Sequence, residues 1–92
     1  MEFTHDKFGK CVLTEITQKQ LEDFTTAMRG KESELLTVYH GEAVRNAAKF
    51  GIMIEPVMTA EDVDNSSPGL VRWLSNCIAK VITEAINPDP LP

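Results

Sequence analysis

The sequence of 92 residues is poor in aromatic side chains, in cysteine and in positive charge. It contains four Phe, one Trp, one Tyr and two Cys, and its nine Lys and Arg residues are outnumbered by fourteen Asp and Glu. The formal net charge of −5 argues against nucleic acid as a general partner, because phosphate recognition depends on clustered basic residues. The same deficit argues against binding to an anionic membrane.

Long uninterrupted apolar runs are also absent. No run approaches the roughly 20 residues that a membrane-spanning helix needs. The first seventeen residues are interrupted by charged residues and a His, so they do not form the apolar core of an export signal. We therefore expect a cytoplasmic protein in which Cys11 and Cys77 are free thiols and pack as small buried hydrophobic residues. A Cys11–Cys77 disulfide is the alternative that the sequence leaves open.

Patterns typical of catalysis or of cofactor binding are missing as well. His5 and His40 lie in different segments and lack the close Cys or His pairs of a zinc site. The acidic run at Asp62 and Asp64 lacks the Gly and the final Glu of a calcium loop. Ser67 fits helix capping better than nucleophilic attack. We therefore expect no enzyme, no cofactor and no metal site, but a protein that acts by contact.

Apolar residues make up 42% of the chain, which is enough for one small folded domain. A chain of this length buries roughly 60–65% of the surface that its unfolded form exposes, so its core is thin. We expect residues 1–87 to form a single globular domain and residues 88–92 to form a Pro-rich tail. The predicted fold class is α+β and mostly α: an N-terminal β-hairpin, then three to four helices, the last of them long.

The first half of the chain carries the hairpin and two helices. Residues 1–4 and 10–16 favour strands on either side of a turn that ends at Gly9. Thr17 and Gln20 match a capping box at the start of the first helix, and Gly30 is placed to end it. Residues 31–40 allow a short helix, although 37–39 also fit an extended segment. Gly41 predicts a bend or a break before a second helix over residues 42–50.

The second half begins with a connector and ends with the long helix. Residues 52–58 allow a short strand, and Thr59 is the expected cap of a single helical turn. Ser67 is the expected N-cap of the last helix, with Pro68 at its first position. Apolar residues then follow at helical spacing and predict one buried face: Leu70, Leu74, Ile78, Val81 and Ala85. Trp73 flanks this stripe, which leaves open whether it packs in the core or contacts a partner.

The carboxy-terminal half resembles the small tail assembly chaperones of long-tailed bacteriophages. The resemblance rests on the order and spacing of three segments: GEAVRNAAKFGI at 41–52, TAEDVDNSSPG at 59–69 and LVRWLSNCIAKVITEAI at 70–86. An acidic turn, a Pro and a helix with Val-x-Trp-Leu follow one another in such proteins. The similarity covers about residues 17–90, and it is less diagnostic in the first half.

The resemblance implies a chaperone that coats the tape measure protein in the host cytoplasm while the phage tail is built. It implies exposed apolar helix faces, self-association around the client and displacement by tail tube subunits. Arg72, Trp73 and Leu74 match the most recognisable stretch, so they are the candidate partner-binding residues, although they fit a structural core equally well. Two other functions remain open at this point: a structural virion component of the tail or head, and a small acidic inhibitor of a host protein.

Overall fold

The computed structural model describes residues 1–87 and has the α+β architecture predicted from the sequence. One antiparallel sheet has the strand order β1-β2-β3 and is built from β1 (Glu2–His5), β2 (Gly9–Leu13) and β3 (Met53–Glu55). The α-helices are α1 (Gln18–Met28), α2 (Leu36–Lys49), α3 (Ala60–Asp64) and α4 (Pro68–Ile86), and a 3-10 turn covers Lys31–Ser33. The Pro-rich tail predicted at residues 88–92 lies outside the described residues.

The predicted N-terminal hairpin is confirmed. In its register Phe3 lies opposite Cys11 and His5 lies opposite Gly9. Gly9 adopts a φ of 90°, a conformation that only Gly reaches without strain, and so allows the chain to reverse. The second strand ends at Leu13, earlier than predicted, because the chain leaves the sheet at this point. The 52–58 connector supplies β3 as a third strand.

The helix starts follow local side-chain chemistry. At the start of α1, the Thr17 hydroxyl accepts a hydrogen bond from the Gln20 amide (3.2 Å), and the Thr17 amide donates to Gln20 Oε1 (3.1 Å). Thr59 forms the same box with Asp62 at α3, and Ser67 caps α4. Each cap satisfies amide groups that have no partner inside the helix. These caps confirm the predicted helix starts.

The break predicted at Gly41 is wrong, because α2 runs through this residue as one helix. Gly41 is buried against the guanidinium of Arg45, and a Cβ at this position would lie 3.1 Å from Arg45 Nη1. The glycine therefore makes room for a neighbouring side chain, although glycine weakens a helix by itself. The alternative extended conformation for 37–39 is also excluded, since these residues are helical.

The core lies between the sheet, α2 and α4. Its largest fully buried side chains include Leu13, Ile52, Leu74 and Ile78. Small residues of α2, among them Ala43 and Ala47, are buried in the same cluster and allow α4 to approach closely. The stripe predicted on α4 is correct at its centre, but Leu70 is only half-buried and Ala85 is exposed, because the end of the helix extends beyond the core.

Two further sequence expectations concern the cysteines and the membrane. Cys11 and Cys77 are both buried and both free thiols, as predicted. None of the helices within residues 1–87 combines the length and the apolar content that a membrane span requires.

Candidate protein-binding groove

The three candidate partner-binding residues do not form one surface. Consecutive helix residues are rotated by about 100°, so Arg72, Trp73 and Leu74 leave α4 in three directions. Leu74 is fully buried in the core, and its side chain therefore has no surface to offer a partner. Trp73 is half-buried against the hairpin, whereas Arg72 is exposed and lines a groove. Of the three, Arg72 has the most exposed side chain.

The groove that contains Arg72 has a cavity volume of 690 Å³ and lies between the start of α2 and the corner that joins α3 to α4. Its apolar lining comes from all three helices and includes Leu36, Val63, Pro68 and Val71. Polar groups lie among these side chains, including His40 of α2 and Asp64 of α3. An apolar cleft with a few placed polar groups is the usual form of a binding site.

Three exposed apolar residues lie at the start of α2, and one of them, Leu36, lines this groove. Leu35, Leu36 and Val38 are 77%, 64% and 42% exposed, and we call these three residues the apolar tip. Leu36 belongs both to the apolar tip and to the groove wall. Leu35 occupies the N-cap position of α2 and provides no side-chain hydrogen bond there. The start of α2 thus has no side-chain cap, and its apolar side chains are not buried within the chain.

Two arginines line the groove, and they differ in their ion pairs. Arg45 donates from Nε to Asp64 Oδ1 at 3.1 Å and from Nη1 to Glu42 Oε1 at 3.1 Å, and its Nη2 also contacts Asp64. Glu42 is in turn 3.9 Å from the amine of Lys31. Arg72 has no ion-pair partner among residues 1–87. Its guanidinium is therefore available for a carboxylate on a bound partner.

Trp73 belongs to an aromatic cluster with the hairpin turn. Its ring centroid lies 5.5 Å from that of His5 and 6.1 Å from that of Phe8. His5 Nδ1 also accepts hydrogen bonds from the amides of Lys7 (3.0 Å) and Phe8 (3.3 Å), which fixes the conformation of the turn. These contacts show that Trp73 packs against the hairpin within the chain, and because its side chain is only half-buried, contact with a partner stays a prediction.

A second groove of 530 Å³ lies on the other side of α2, between α1 and α4. Its lining includes Phe24, Tyr39 and Ile82, with Arg29 and Glu32 among its polar residues. This groove lacks the apolar tip and Arg72, because Leu36 and His40 face the first groove while Tyr39 faces this one. The start of α2 therefore separates two clefts, and only the larger of these two combines exposed leucine with an unpaired cation.

Within residues 1–87, no three His, Cys, Asp or Glu side chains gather in a way that could hold a metal ion. His5 lies at the hairpin and His40 at the groove. The Ser67 hydroxyl accepts a hydrogen bond from the amide of Leu70 at 3.2 Å, so it acts as a helix cap.

The groove itself was missed at the sequence level. Leu35 and Leu36 appeared only as part of a segment that allows a short helix. Two adjacent leucines at a helix start, with no capping side chain, are a signal that points to this tip. Comparison with protein-family models, with curated proteins and with solved structures gives no match.

Proposed function

We propose that this protein is a non-catalytic binding protein that holds an apolar helical segment of another protein, as the tail assembly chaperones of long-tailed phages hold the tape measure protein. The observation that carries the proposal is the apolar tip beside the groove of Arg72. The resemblance of residues 41–86 to such chaperones supplies the phage context and the client. The cytoplasm of the host cell is then the place of action.

The chemistry of the groove favours an amphipathic helix as the occupant. A helix places apolar side chains on one face at intervals of three and four residues, which is the pattern that an apolar cleft between helices accepts. Leu36, Val63 and Val71 supply the apolar contact. An acidic residue at the edge of the same helix would pair with Arg72, because Arg72 has no ion-pair partner within residues 1–87.

The expected affinity is modest. Full burial of one Leu side chain contributes roughly 1.5–3 kcal/mol, and the apolar tip offers only three partly exposed residues. Ordering costs offset much of this gain, so a single groove gives weak binding. Weak binding suits a chaperone that must leave its client, and many copies along a long client would add avidity. Self-association of the chain belongs to the same proposal.

The test is co-expression with the tape measure protein of the same tail gene cluster, followed by measurement of how much of that client stays in solution and how much co-purifies with this chain. Leu36→Asp should reduce the co-purified client at least tenfold, because it places a charge on the groove wall. Val57→Asp is the matched control: Val57 is 89% exposed but lies outside the groove, so this variant should bind as the unmodified chain does.

Equal binding by all three proteins, or no binding by any, contradicts the proposal. The composition of purified particles separates the two other functions that the sequence left open. A chaperone is absent from finished particles, whereas a structural component is present at fixed stoichiometry. Light scattering of the pure protein measures the self-association.

A further inference from the structure

The hairpin lies lengthwise along α4, and contacts at both ends fix its position. Near the turn, Phe8 stacks on Trp73 with ring centroids 6.1 Å apart and approaches the backbone at Gly69. Farther along the same helix, the amine of Lys80 lies 5.9 Å from the centroid of the Phe3 ring. The hairpin turn therefore contacts the start of α4, and the body of the hairpin contacts its middle.

Cys11 and Cys77 occupy matching positions between these contacts. Cys11 lies directly opposite Phe3 in the sheet, two residues from the turn pair His5 and Gly9, which is about 7 Å along the strand. Cys77 lies four residues after Trp73, which is about 6 Å along the helix axis. Measured from the aromatic cluster, the distance along the strand to Cys11 is therefore nearly the same as the distance along the helix axis to Cys77.

The burial of the two side chains agrees with this placement. Cys11 is 0% and Cys77 is 5% exposed, and both belong to the single core cluster between β2 and α4. Burial, together with a smaller contribution from the neighbouring Cys77 thiol, raises the pKa of the Cys11 thiol to about 12. Burial also raises the pKa of Cys77. Both groups are therefore neutral thiols while the hairpin is docked, and neutral thiols are poor nucleophiles.

We propose that Cys11 and Cys77 are a disulfide-forming pair whose oxidation fastens the hairpin to α4. The oxidant is a small-molecule disulfide of the glutathione class. The thiolate of one cysteine attacks this disulfide, forms a mixed disulfide and releases one small thiol. The thiolate of the other cysteine then displaces the second small thiol and closes the protein disulfide. Two protein thiols are oxidised to one disulfide, and one small disulfide is reduced to two thiols. The two protons that the protein thiols release are taken up by the two small thiols.

The burial of the pair sets the order of events. The first attack requires that the hairpin lift from α4, because the docked sulfur atoms are shielded from the oxidant. The second attack takes place as the hairpin closes on α4, before the remaining thiol is fully buried, because closure brings the two cysteines together. Oxidation therefore begins only after the hairpin has opened, and the resulting disulfide prevents the hairpin from opening again. This inference is independent of the proposed binding function, since neither cysteine lines the groove of Arg72.

The cross-link joins residues that are 66 positions apart in the sequence. Closing so long a loop restricts the unfolded chain strongly and raises the melting temperature, provided that the native geometry accommodates the bond. For a domain of this size we expect an increase of at least about 8 °C. Reduction with dithiothreitol should return the protein to its original melting temperature.

The first step of the test exposes both buried cysteines to the oxidant. The reduced chain is unfolded in guanidinium chloride and then refolded in a buffer of reduced and oxidised glutathione, so that the thiols reach equilibrium with the oxidant. The expected product is a monomer about 2 Da lighter than the reduced chain, with no bound glutathione. Non-reducing peptide mapping should locate the Cys11–Cys77 link, and circular dichroism should match that of the reduced fold.

Matched single variants complete the experiment. Cys77→Ala and Cys11→Ala should give no product 2 Da lighter, and the remaining thiol should end as a glutathione adduct or stay free. Folded monomer that keeps both thiols free under oxidising conditions overturns the proposal. So does a product that consists of mixed disulfides or of dimers linked between chains. A cross-linked monomer that has lost the native circular dichroism spectrum also overturns it.

Discussion

The ring of Phe8 stacks on the indole of Trp73, with centroids 6.1 Å apart and planes inclined by 29°. This contact attaches the hairpin turn to the first turns of α4. The surroundings of Trp73 thus differ from those of its neighbour Arg72, which lines the groove and does not belong to the aromatic cluster. Trp73 therefore contributes to the packing of the hairpin, whereas Arg72 lines the groove to which we assign the proposed partner contact.

The first prediction follows from this division. Trp73→Ala should lower the free energy of unfolding by about 2 kcal/mol, less than for a fully buried aromatic residue, because Trp73 is only half-buried. Arg72→Ala, the control one residue away, should change it by less than about 0.5 kcal/mol. Urea unfolding of both variants measures the difference. An equal effect of the two substitutions would place Trp73 outside the stabilising cluster.

The second prediction concerns the ion pair between Arg45 and Asp64, which links α2 to α3. Asp64→Asn should destabilise the protein by about 0.5–1 kcal/mol at low salt, because the Asp64 side chain is 57% exposed and water screens the pair. The cost should shrink in 0.5 M sodium chloride. Asp23→Asn, which removes the exposed pair with Lys19 at 3.1 Å, is the control and should cost less. A salt-independent cost at Asp64 would contradict an electrostatic origin.

The third prediction concerns Gly41, the buried helical glycine beside Arg45. Alanine favours a helix over glycine by about 1 kcal/mol, but its Cβ would crowd the Arg45 guanidinium at 3.1 Å. Gly41→Ala should therefore stabilise the chain more in an Arg45→Ala background than in the unmodified protein, with a coupling of about 0.5–1 kcal/mol. Urea unfolding of the four proteins of this cycle gives the coupling. Purely additive effects would show that Arg45 does not depend on the missing side chain.

The fourth prediction concerns alkaline pH. Burial raises the pKa of Cys11 in the folded state to about 12 from an ordinary value of 9.0, so the folded state holds its proton more tightly than the unfolded state does. The stability that this thiol contributes is complete below pH 9 and is lost as pH rises toward 12. Unfolding free energies at pH 8 and pH 10.5 should fall more steeply for the unmodified protein than for Cys11→Ala. Identical slopes would show that Cys11 titrates normally when folded.

Much of the fold could be predicted because its signals are local. The caps at Thr17, Thr59 and Ser67 lie within three residues of the amides that they bind, and the hairpin depends on Gly9 in its own turn. The apolar spacing in α4 likewise reflects one helix. Such features need no knowledge of distant parts of the chain.

The sequence predictions were wrong or incomplete where the role of a residue depends on contacts with residues that are distant in the sequence. Gly41 looked like a helix break, yet it accommodates the Arg45 side chain, whose position depends on Asp64 in α3. The candidate site was incomplete for the same reason. Leu36 lies 36 positions before Arg72 in the sequence, and no periodicity relates the two residues. Only the packing of α2 on α4 brings them to one groove.

The measurement that tests the central claim most directly is a titration of the nitrogen-15-labelled protein with the tape measure client, followed by amide chemical shifts. The account predicts that the largest changes cluster around the groove, at Leu36, His40 and Arg72, while the indole signal of Trp73 changes little. Changes confined to the hairpin or to the groove of Phe24 and Ile82 would contradict the account, and so would a spectrum that the client leaves unaltered.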